Sequence, residues 1–231
     1  MKSVSDQRLI VALDLPNIHQ AEDLVHELGD SVSFYKIGLG LIPVGGFKLV
    51  EKLKLAGKKV FLDLKLFDIG KTIENSVTNL KDFNVDFLTV HGDPQVVKSA
   101  VKARKNHMTK ILAVTLLTSL DRNDLDQALI KKGKILDLVI ERARNAFLAG
   151  ADGVITSPQE AYEIRRLPDS IGKIIVTPGI RPIGGDQNDQ KRVSNPKQAL
   201  INGSDYIVVG RPIYESNNPL EEVKKLIDTL N

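Results

Sequence analysis

The chain has 231 residues, of which 42% are hydrophobic and 26% are charged, a composition typical of a soluble globular protein. It contains no cysteine, which excludes disulfides and thiolate metal sites, and its net charge of +3 is too small to indicate a nucleic-acid partner. The polar N-terminus and the lack of long apolar runs indicate neither a signal peptide nor a membrane span, so we expect a cytoplasmic protein.

Short apolar runs rich in β-branched residues recur along the chain and predict eight strands. Each run is almost continuously apolar, which is typical of strands that are buried on both faces. In chain order, the predicted strands cover residues 9–14, 33–38, 59–64, 87–91, 110–115, 153–156, 173–177 and 206–210.

Amphipathic segments lie between these runs and predict helices, because their apolar residues are three and four positions apart. Strands that alternate with helices indicate parallel strands joined by right-handed crossovers. Eight such units in a chain of this length favour a closed (β/α)8 TIM barrel, an α/β fold in which residues 1–231 form a single domain.

Two longer loops stand out, at residues 118–133 and 180–196. We expect a short extra helix in the first and a functional role for the second.

Charged residues cluster at the end of the third predicted strand, where a barrel of this kind carries its chemistry. Asp63 and Lys65 are two positions apart, so they share a face if the strand continues through both, and Asp68 follows closely. Carboxylates near Lys65 would raise the pKa of its ammonium group, which makes it a proton donor rather than a Schiff-base nucleophile. The alternative is a buried ion pair that only supports the barrel. Three charges at one strand end favour a functional site.

The ends of the seventh and eighth predicted strands indicate a phosphate site. Gly179 follows one strand, and Gly210 and Arg211 follow the other. Glycine allows close approach of the backbone, and arginine binds phosphate oxygens with two donors.

His91 ends the fourth strand, and a hydrogen-bonded packing role is favoured for it over a role as acid or ligand. No group of residues has an obvious metal-binding spacing, although a magnesium site built from carboxylates stays open.

The segment DLKLFDIGKT at residues 63–72 resembles the D-x-K-x-x-D-I-x-x-T signature of the orotidine 5′-phosphate decarboxylase family, in its bacterial type. Other segments resemble the family in the same order, so the resemblance covers nearly the whole chain. They are VALD at 11–14, KIG at 36–38, LTS at 117–119, VTPGIR at 176–181, DQ at 189–190 and VGRPI at 209–213. Gly70 departs from the family, which commonly has proline there. We therefore expect a less fixed first turn in the third helix.

The resemblance implies decarboxylation of orotidine 5′-monophosphate to uridine 5′-monophosphate and CO₂, the last step of pyrimidine synthesis. It implies no cofactor or metal and a homodimer with active sites near the interface, without nucleic-acid or membrane partners. Lys65 is then the proton donor, Asp63 lies beside the departing carboxylate, and Asp68 acts in the neighbouring subunit's site. The implied substrate-binding residues are Asp14 and Lys36 at the ribose, Thr118 at the pyrimidine, Thr72 lent to the neighbouring subunit, Arg181, Gln190, Gly210 and Arg211 at the phosphate, and also Ile69 and Pro178.

Three alternatives accompany this interpretation. Gln187 also follows an aspartate in the phosphate loop, but the spacing from Arg181 favours Gln190. A magnesium-dependent aldolase or sugar-phosphate decarboxylase on the related barrel is the second alternative, and Lys36 argues against it. The third is a barrel that binds a nucleotide without catalysis, which has no need of the group formed by Asp63, Lys65 and Asp68.

Overall fold

The structure is a computed structural model that describes residues 5–105, 107–181 and 194–230. Within these residues, eight parallel strands form one closed barrel in which each strand pairs with the next and β8 pairs with β1. The predicted (β/α)8 barrel is therefore confirmed, and the predicted strand ends differ from the observed ones by at most two residues. The strands are β1 (Leu9–Ala12), β2 (Phe34–Gly38), β3 (Lys59–Leu66), β4 (Phe87–His91), β5 (Lys110–Val114), β6 (Gly153–Ile155), β7 (Ile174–Thr177) and β8 (Tyr206–Val209).

Helices connect the strands around the outside of the barrel. The described residues contain α1 (Ile18–Leu28), α2 (Gly46–Leu55), α3 (Gly70–Asn79), α4 (Pro94–Ala103), α5 (Arg122–Gln127), α6 (Ile135–Leu148), α7 (Ala161–Arg165), α8 (Pro196–Ile201), α9 (Arg211–Tyr214) and α10 (Pro219–Leu230). None of these helices combines the length and the apolar character needed to cross a membrane.

The short helix expected after the fifth strand is present as α5. Asp121 caps its N-terminus by accepting a hydrogen bond from the Asp124 backbone N–H at 3.0 Å. The Asp124 carboxylate in turn accepts the Asp121 backbone N–H at 2.9 Å, which completes a capping box. These paired bonds satisfy two backbone donors that the first turn of a helix leaves without a partner.

The strands bury both faces, which explains their continuous apolar sequences. One set of side chains, which includes Leu62, packs between the barrel and the helices, and the other fills the barrel interior. At the N-terminal ends of the strands the interior holds three aromatic rings, Phe34, Phe87 and Tyr206, with the centroids of Phe34 and Phe87 5.0 Å apart. These rings fill the N-terminal half of the interior, and a cavity of about 430 Å³ lies against them at that end.

The third strand departs from regular pairing where it reaches its charged residues. Leu62 pairs with Leu88 and Leu66 with Val90, so four positions along β3 correspond to only two along β4. Lys65 lies within this bulge and has a φ of 47°, in the left-handed region that non-glycine residues seldom adopt. The expectation that Asp63 and Lys65 share a face assumes that side chains alternate regularly along the strand. The bulge interrupts this alternation.

Candidate active site

A cavity of about 300 Å³ opens at the C-terminal ends of the strands. It brings together side chains that are far apart in the sequence, because every parallel strand of a barrel ends at the same rim. Nine of the residues expected to take part line it, namely Asp14, Lys36, Asp63, Lys65, Thr118, Pro178, Arg181, Gly210 and Arg211.

Four charged side chains form a row of alternating sign along one wall of this cavity. The Lys36 ammonium lies 2.8 Å from Asp14 Oδ1 and 3.5 Å from Asp63 Oδ2. The Lys65 ammonium lies 2.8 Å from the same Asp63 oxygen. Asp63 and Lys36 are both buried, with 8% and 7% of their surface exposed. A buried charge is tolerated where opposite charges surround it, as they do here.

These contacts determine the protonation of the buried pair. Burial alone would raise the pKa of Asp63, but the nearby ammonium groups of Lys36 and Lys65 and the hydrogen bonds that Asp63 accepts hold that pKa below its usual value. Burial alone would lower the pKa of Lys36, but Asp14 and Asp63 raise that pKa above its usual value. Both groups are therefore charged at neutral pH.

The other side of the cavity carries two arginines. Arg181 follows β7, is 8% exposed, and donates from Nη1 to its neighbouring carbonyl, that of Ile180, at 2.9 Å. A short backbone bridge holds this segment, since the Arg181 N–H donates to the Ser194 carbonyl and the Ser194 N–H donates to the Gly179 carbonyl. Gly179 has a φ of 76°, which glycine adopts without strain. Arg211 begins α9 directly after β8. The two arginines are donors suited to an anionic group.

Comparison with known proteins assigns the chain to a family. A family model described as orotidine 5′-phosphate decarboxylase / HUMPS family matches residues 7–226. The chain belongs to this family.

Relatives within the family are similar over nearly their whole length. The chain is 56% identical over 228 residues to the orotidine 5′-phosphate decarboxylase of Jannaschia sp. (strain CCS1), covering 98% of this chain and 100% of that protein. It is 58% identical over 217 residues to the protein of that name from Ruegeria pomeroyi, covering 94% of this chain and 90% of that one. The crystal structure of orotidine 5′-phosphate decarboxylase from Lactobacillus acidophilus superposes with a TM-score of 0.85 at 35% identity, covering 98% of this chain and 100% of that one.

Three residues expected in the family site do not line the cavity of their own chain. Asp68, in the loop after β3, is exposed, and its Oδ1 accepts the Ile69 backbone N–H at 2.6 Å. Ile69 is 72% exposed, and Thr72 is exposed in the first turn of α3. Gln190 and its alternative Gln187 lie outside the described residues.

The helix α3 begins at Gly70 itself, and the expectation of a less fixed first turn stays a prediction. A Cβ atom at this position would lie 2.7 Å from Ser99 Oγ of α4, so the Ser99 hydroxyl would have to move. Glycine here therefore leaves space for the Ser99 hydroxyl against α3.

His91 is held by hydrogen bonding and ring packing, and it does not line the cavity. Its Nδ1 lies 2.5 Å from Asp93 Oδ2, and Arg142 Nη2 lies 3.3 Å from the same oxygen. Its ring also packs on Phe67, with 4.7 Å between centroids. This is the packing role that the sequence favoured. Among residues 5–105, 107–181 and 194–230, no group of three His, Asp or Glu side chains could hold a metal ion.

Two residues near the charges were missed from the sequence. Tyr214 of α9 lines the cavity, where burial together with Asp14 and Glu215 raises the pKa of its hydroxyl. Thr89 is fully buried in β4 and hydrogen-bonds to Asp63. A hydroxyl in the middle of an otherwise apolar strand was the signal that could have identified Thr89.

Proposed function

We propose that this protein decarboxylates orotidine 5′-monophosphate to uridine 5′-monophosphate and CO₂ without a cofactor, with Lys65 as the proton donor. The observation that carries the proposal is the alternating row Asp14, Lys36, Asp63 and Lys65 in the cavity. Relatives 56% and 58% identical carry the name of this decarboxylase over nearly the whole chain. The proposal includes the cytoplasmic location and the final place in pyrimidine synthesis expected from the sequence.

Lys65 has two tasks in this reaction. When the bond to the carboxylate breaks, its electron pair stays on the ring carbon, and a fixed positive charge close by stabilises the resulting carbanion. Lys65 then transfers a proton from Nζ to that carbon, so that the N–H bond breaks as the C–H bond forms. The neutral amine is reprotonated from solvent, which closes the cycle.

Asp63 keeps the charges in place before the substrate arrives. It stays ionised between Lys36 and Lys65, because both ammonium groups favour its charged form. Little reorganisation is then needed during the reaction, which is a main source of electrostatic catalysis. Beside the substrate carboxylate, the same ionised group would also repel it and favour the loss of CO₂.

The remaining cavity residues suit a nucleotide. Asp14 and Lys36 present an acceptor and a donor to the ribose hydroxyls, and Thr118 serves the pyrimidine amide edge. Arg181 and Arg211 serve the phosphate, whose binding energy acts far from the reacting carbon and helps to hold the substrate in place. Pro178 and Gly210 complete this lining, and Gln190 is assigned to the phosphate by resemblance alone.

The proposal includes a homodimer in which Asp68, Ile69 and Thr72 act in the neighbouring subunit's site. These residues are exposed at the rim that surrounds the cavity, together with Phe67, which is 66% exposed. An exposed apolar surface of this kind is typical of a protein interface. The Lys65 side chain is 33% exposed and lines the cavity, which leaves room for a second carboxylate.

One assay separates the decarboxylase from its alternatives. The absorbance of orotidine 5′-monophosphate is followed with and without a metal chelator. We expect full turnover in both. Turnover abolished by the chelator would instead favour the magnesium-dependent enzyme of the related barrel, and no turnover would favour a barrel that only binds a nucleotide.

A further inference from the structure

Thr89 is a buried polar residue for which the proposed reaction so far has no use. It lies in the middle of β4, between Leu88 and Val90, whose side chains pack against the helices. Since side chains alternate along a strand, Thr89 faces the barrel interior, and none of its surface is exposed. A hydroxyl in this apolar layer is costly unless it is hydrogen-bonded.

The Thr89 hydroxyl acts both as a hydrogen-bond donor and as an acceptor, and its partners are Asp63 and Lys65. Thr89 Oγ1 donates to Asp63 Oδ1 at 2.8 Å and accepts the Lys65 backbone N–H at 2.9 Å. The directions follow from the chemistry, because an ionised carboxylate only accepts and an amide N–H only donates. One oxygen atom therefore links the Asp63 carboxylate to the Lys65 backbone.

The link matters because the backbone at Lys65 is irregular. Lys65 has a φ of 47° and lies in the bulge between β3 and β4. A non-glycine residue in this conformation is strained and persists only where its surroundings hold it. The hydrogen bond from the Lys65 N–H to Thr89 Oγ1 stabilises this conformation. Its acceptor is a side-chain oxygen in place of a backbone carbonyl.

The same hydroxyl orients the carboxylate of Asp63. With Oδ1 bound to Thr89, Oδ2 is left to the two ammonium groups, at 2.8 Å from Lys65 Nζ and 3.5 Å from Lys36 Nζ. Rotation of the carboxylate would break the bond to Thr89. The hydroxyl thereby sets the direction in which Asp63 holds the Lys65 ammonium.

We propose that Thr89 is a positioning residue of the decarboxylation, which holds the Lys65 bulge and the Asp63 carboxylate in the arrangement that proton transfer needs. The inference rests on the proposed function. Thr89 does not line the cavity, so it acts through Asp63 and Lys65 and not by touching the substrate.

The test compares Thr89→Val, which removes the hydroxyl at nearly constant volume, with Thr89→Ser, which keeps it. In Thr89→Val we expect kcat to fall about 10- to 100-fold, because a hydrogen bond to a charged group is lost. KM should change less than about threefold, since the ribose and phosphate contacts stay, and Thr89→Ser should keep kcat within about threefold of the wild type.

Thr109→Val is the matched control. Thr109 is also buried, and its Oγ1 donates to the Val85 carbonyl at 2.8 Å, at the opposite end of the barrel. The substitution removes a comparable hydrogen bond away from the cavity, so we expect kcat and KM to stay at wild-type values. A loss equal to that of Thr89→Val would show that any buried hydroxyl matters equally and would overturn the proposal.

Amide hydrogen exchange at Lys65 tests the link without any turnover. We expect exchange at least about 10-fold faster in Thr89→Val than in the wild type, and unchanged exchange in Thr89→Ser and Thr109→Val. Unchanged exchange in Thr89→Val, wild-type kcat in that variant, or an equal loss in Thr89→Ser would each overturn the proposal. If Thr89→Val does not fold, Thr89→Ala, which also removes both hydrogen bonds, replaces it with the same expectations.

The two proposals fail in different ways. A folded wild-type chain that leaves orotidine 5′-monophosphate unchanged would refute the proposed function. The exchange measurement would still decide whether Thr89 holds the Lys65 amide.

Discussion

Asp63 and Lys65 are two positions apart in the chain, yet their side chains meet at 2.8 Å through a bulge in which Lys65 adopts a φ of 47°. The pairing of β3 with β4 loses its regular register between Leu62 and Leu66, the stretch that contains both residues. Asp63 also lies 3.5 Å from Lys36, across the regular pairing of β2 with β3. The site thus depends on an irregular piece of strand held by its neighbours.

Lys65→Ala should abolish turnover while the product nucleotide still binds. The variant loses both the proton and the positive charge near the carbanion, so we expect kcat to fall by at least about 10⁴-fold. The affinity for uridine 5′-monophosphate should stay within about tenfold, because the arginines are unchanged. Steady-state kinetics and calorimetry measure the two effects.

Lys59→Ala is the control for Lys65→Ala. Lys59 begins the same strand at the other end of the barrel, where it donates to Gln7 Oε1 at 2.8 Å. Its loss should leave turnover unchanged. Normal turnover in Lys65→Ala would show that another group donates the proton.

Complementary variants should restore activity when they are mixed, if Asp68 serves the neighbouring subunit. Lys65→Ala and Asp68→Asn chains form hybrid dimers in which one of the two sites has both native residues. Random mixing of equal amounts makes half of the dimers hybrid, so we expect about one quarter of the wild-type activity. Turnover is measured after the mixture has exchanged subunits.

The control for this mixture pairs Lys65→Ala with Asp63→Asn. Asp63 and Lys65 belong to the same chain's site, so no hybrid contains an intact one and no activity should return. Hybrid dimers of the Lys65→Ala and Asp68→Asn chains that stay inactive would argue against sharing of Asp68.

Gly38→Ala should weaken nucleotide binding. A Cβ atom at Gly38 would lie 2.9 Å from Asp14 Oδ1 and 3.4 Å from Lys36 Nζ, so this ion pair must shift. We expect the dissociation constant of uridine 5′-monophosphate to rise about tenfold, as when one polar contact is lost. Gly40→Ala is the matched control, because a Cβ atom there has nothing within 4 Å. Equal affinities in the two variants would contradict the role given to Asp14 and Lys36.

The stability of the fold should depend on pH through Asp63. Its pKa in the folded state is held below the usual 3.8 although burial alone would raise it, because Lys36 and Lys65 favour the ionised form. A carboxyl of this kind stabilises the fold above its unfolded pKa, and the contribution disappears as the pH falls through the folded pKa.

We therefore expect the free energy of unfolding of the wild type to exceed that of Asp63→Asn most at neutral pH. The difference should shrink as the pH falls below about 5. Urea unfolding at a series of pH values measures it. A difference that stays constant from pH 7 to pH 3 would show that Asp63 gains no stability from its ionised form.

Much of this protein could be predicted from its sequence alone. Strands buried on both faces are continuous apolar runs, and eight of them alternating with amphipathic segments indicate one barrel. Charged residues such as Asp63, Lys65 and Arg211 stand out at the ends of these runs. Parallel strands bring those ends to one rim, so the cavity and most of its lining follow from a local pattern.

Other features were decided only by the tertiary structure. The bulge at Lys65, the contact of Asp63 with Lys36 and the double hydrogen bond of Thr89 all depend on how β3 is aligned with its neighbours. The outward position of Asp68 depends on the path of the loop into α3. Alignment between strands is set by packing across the whole barrel, and no local spacing of residues encodes it.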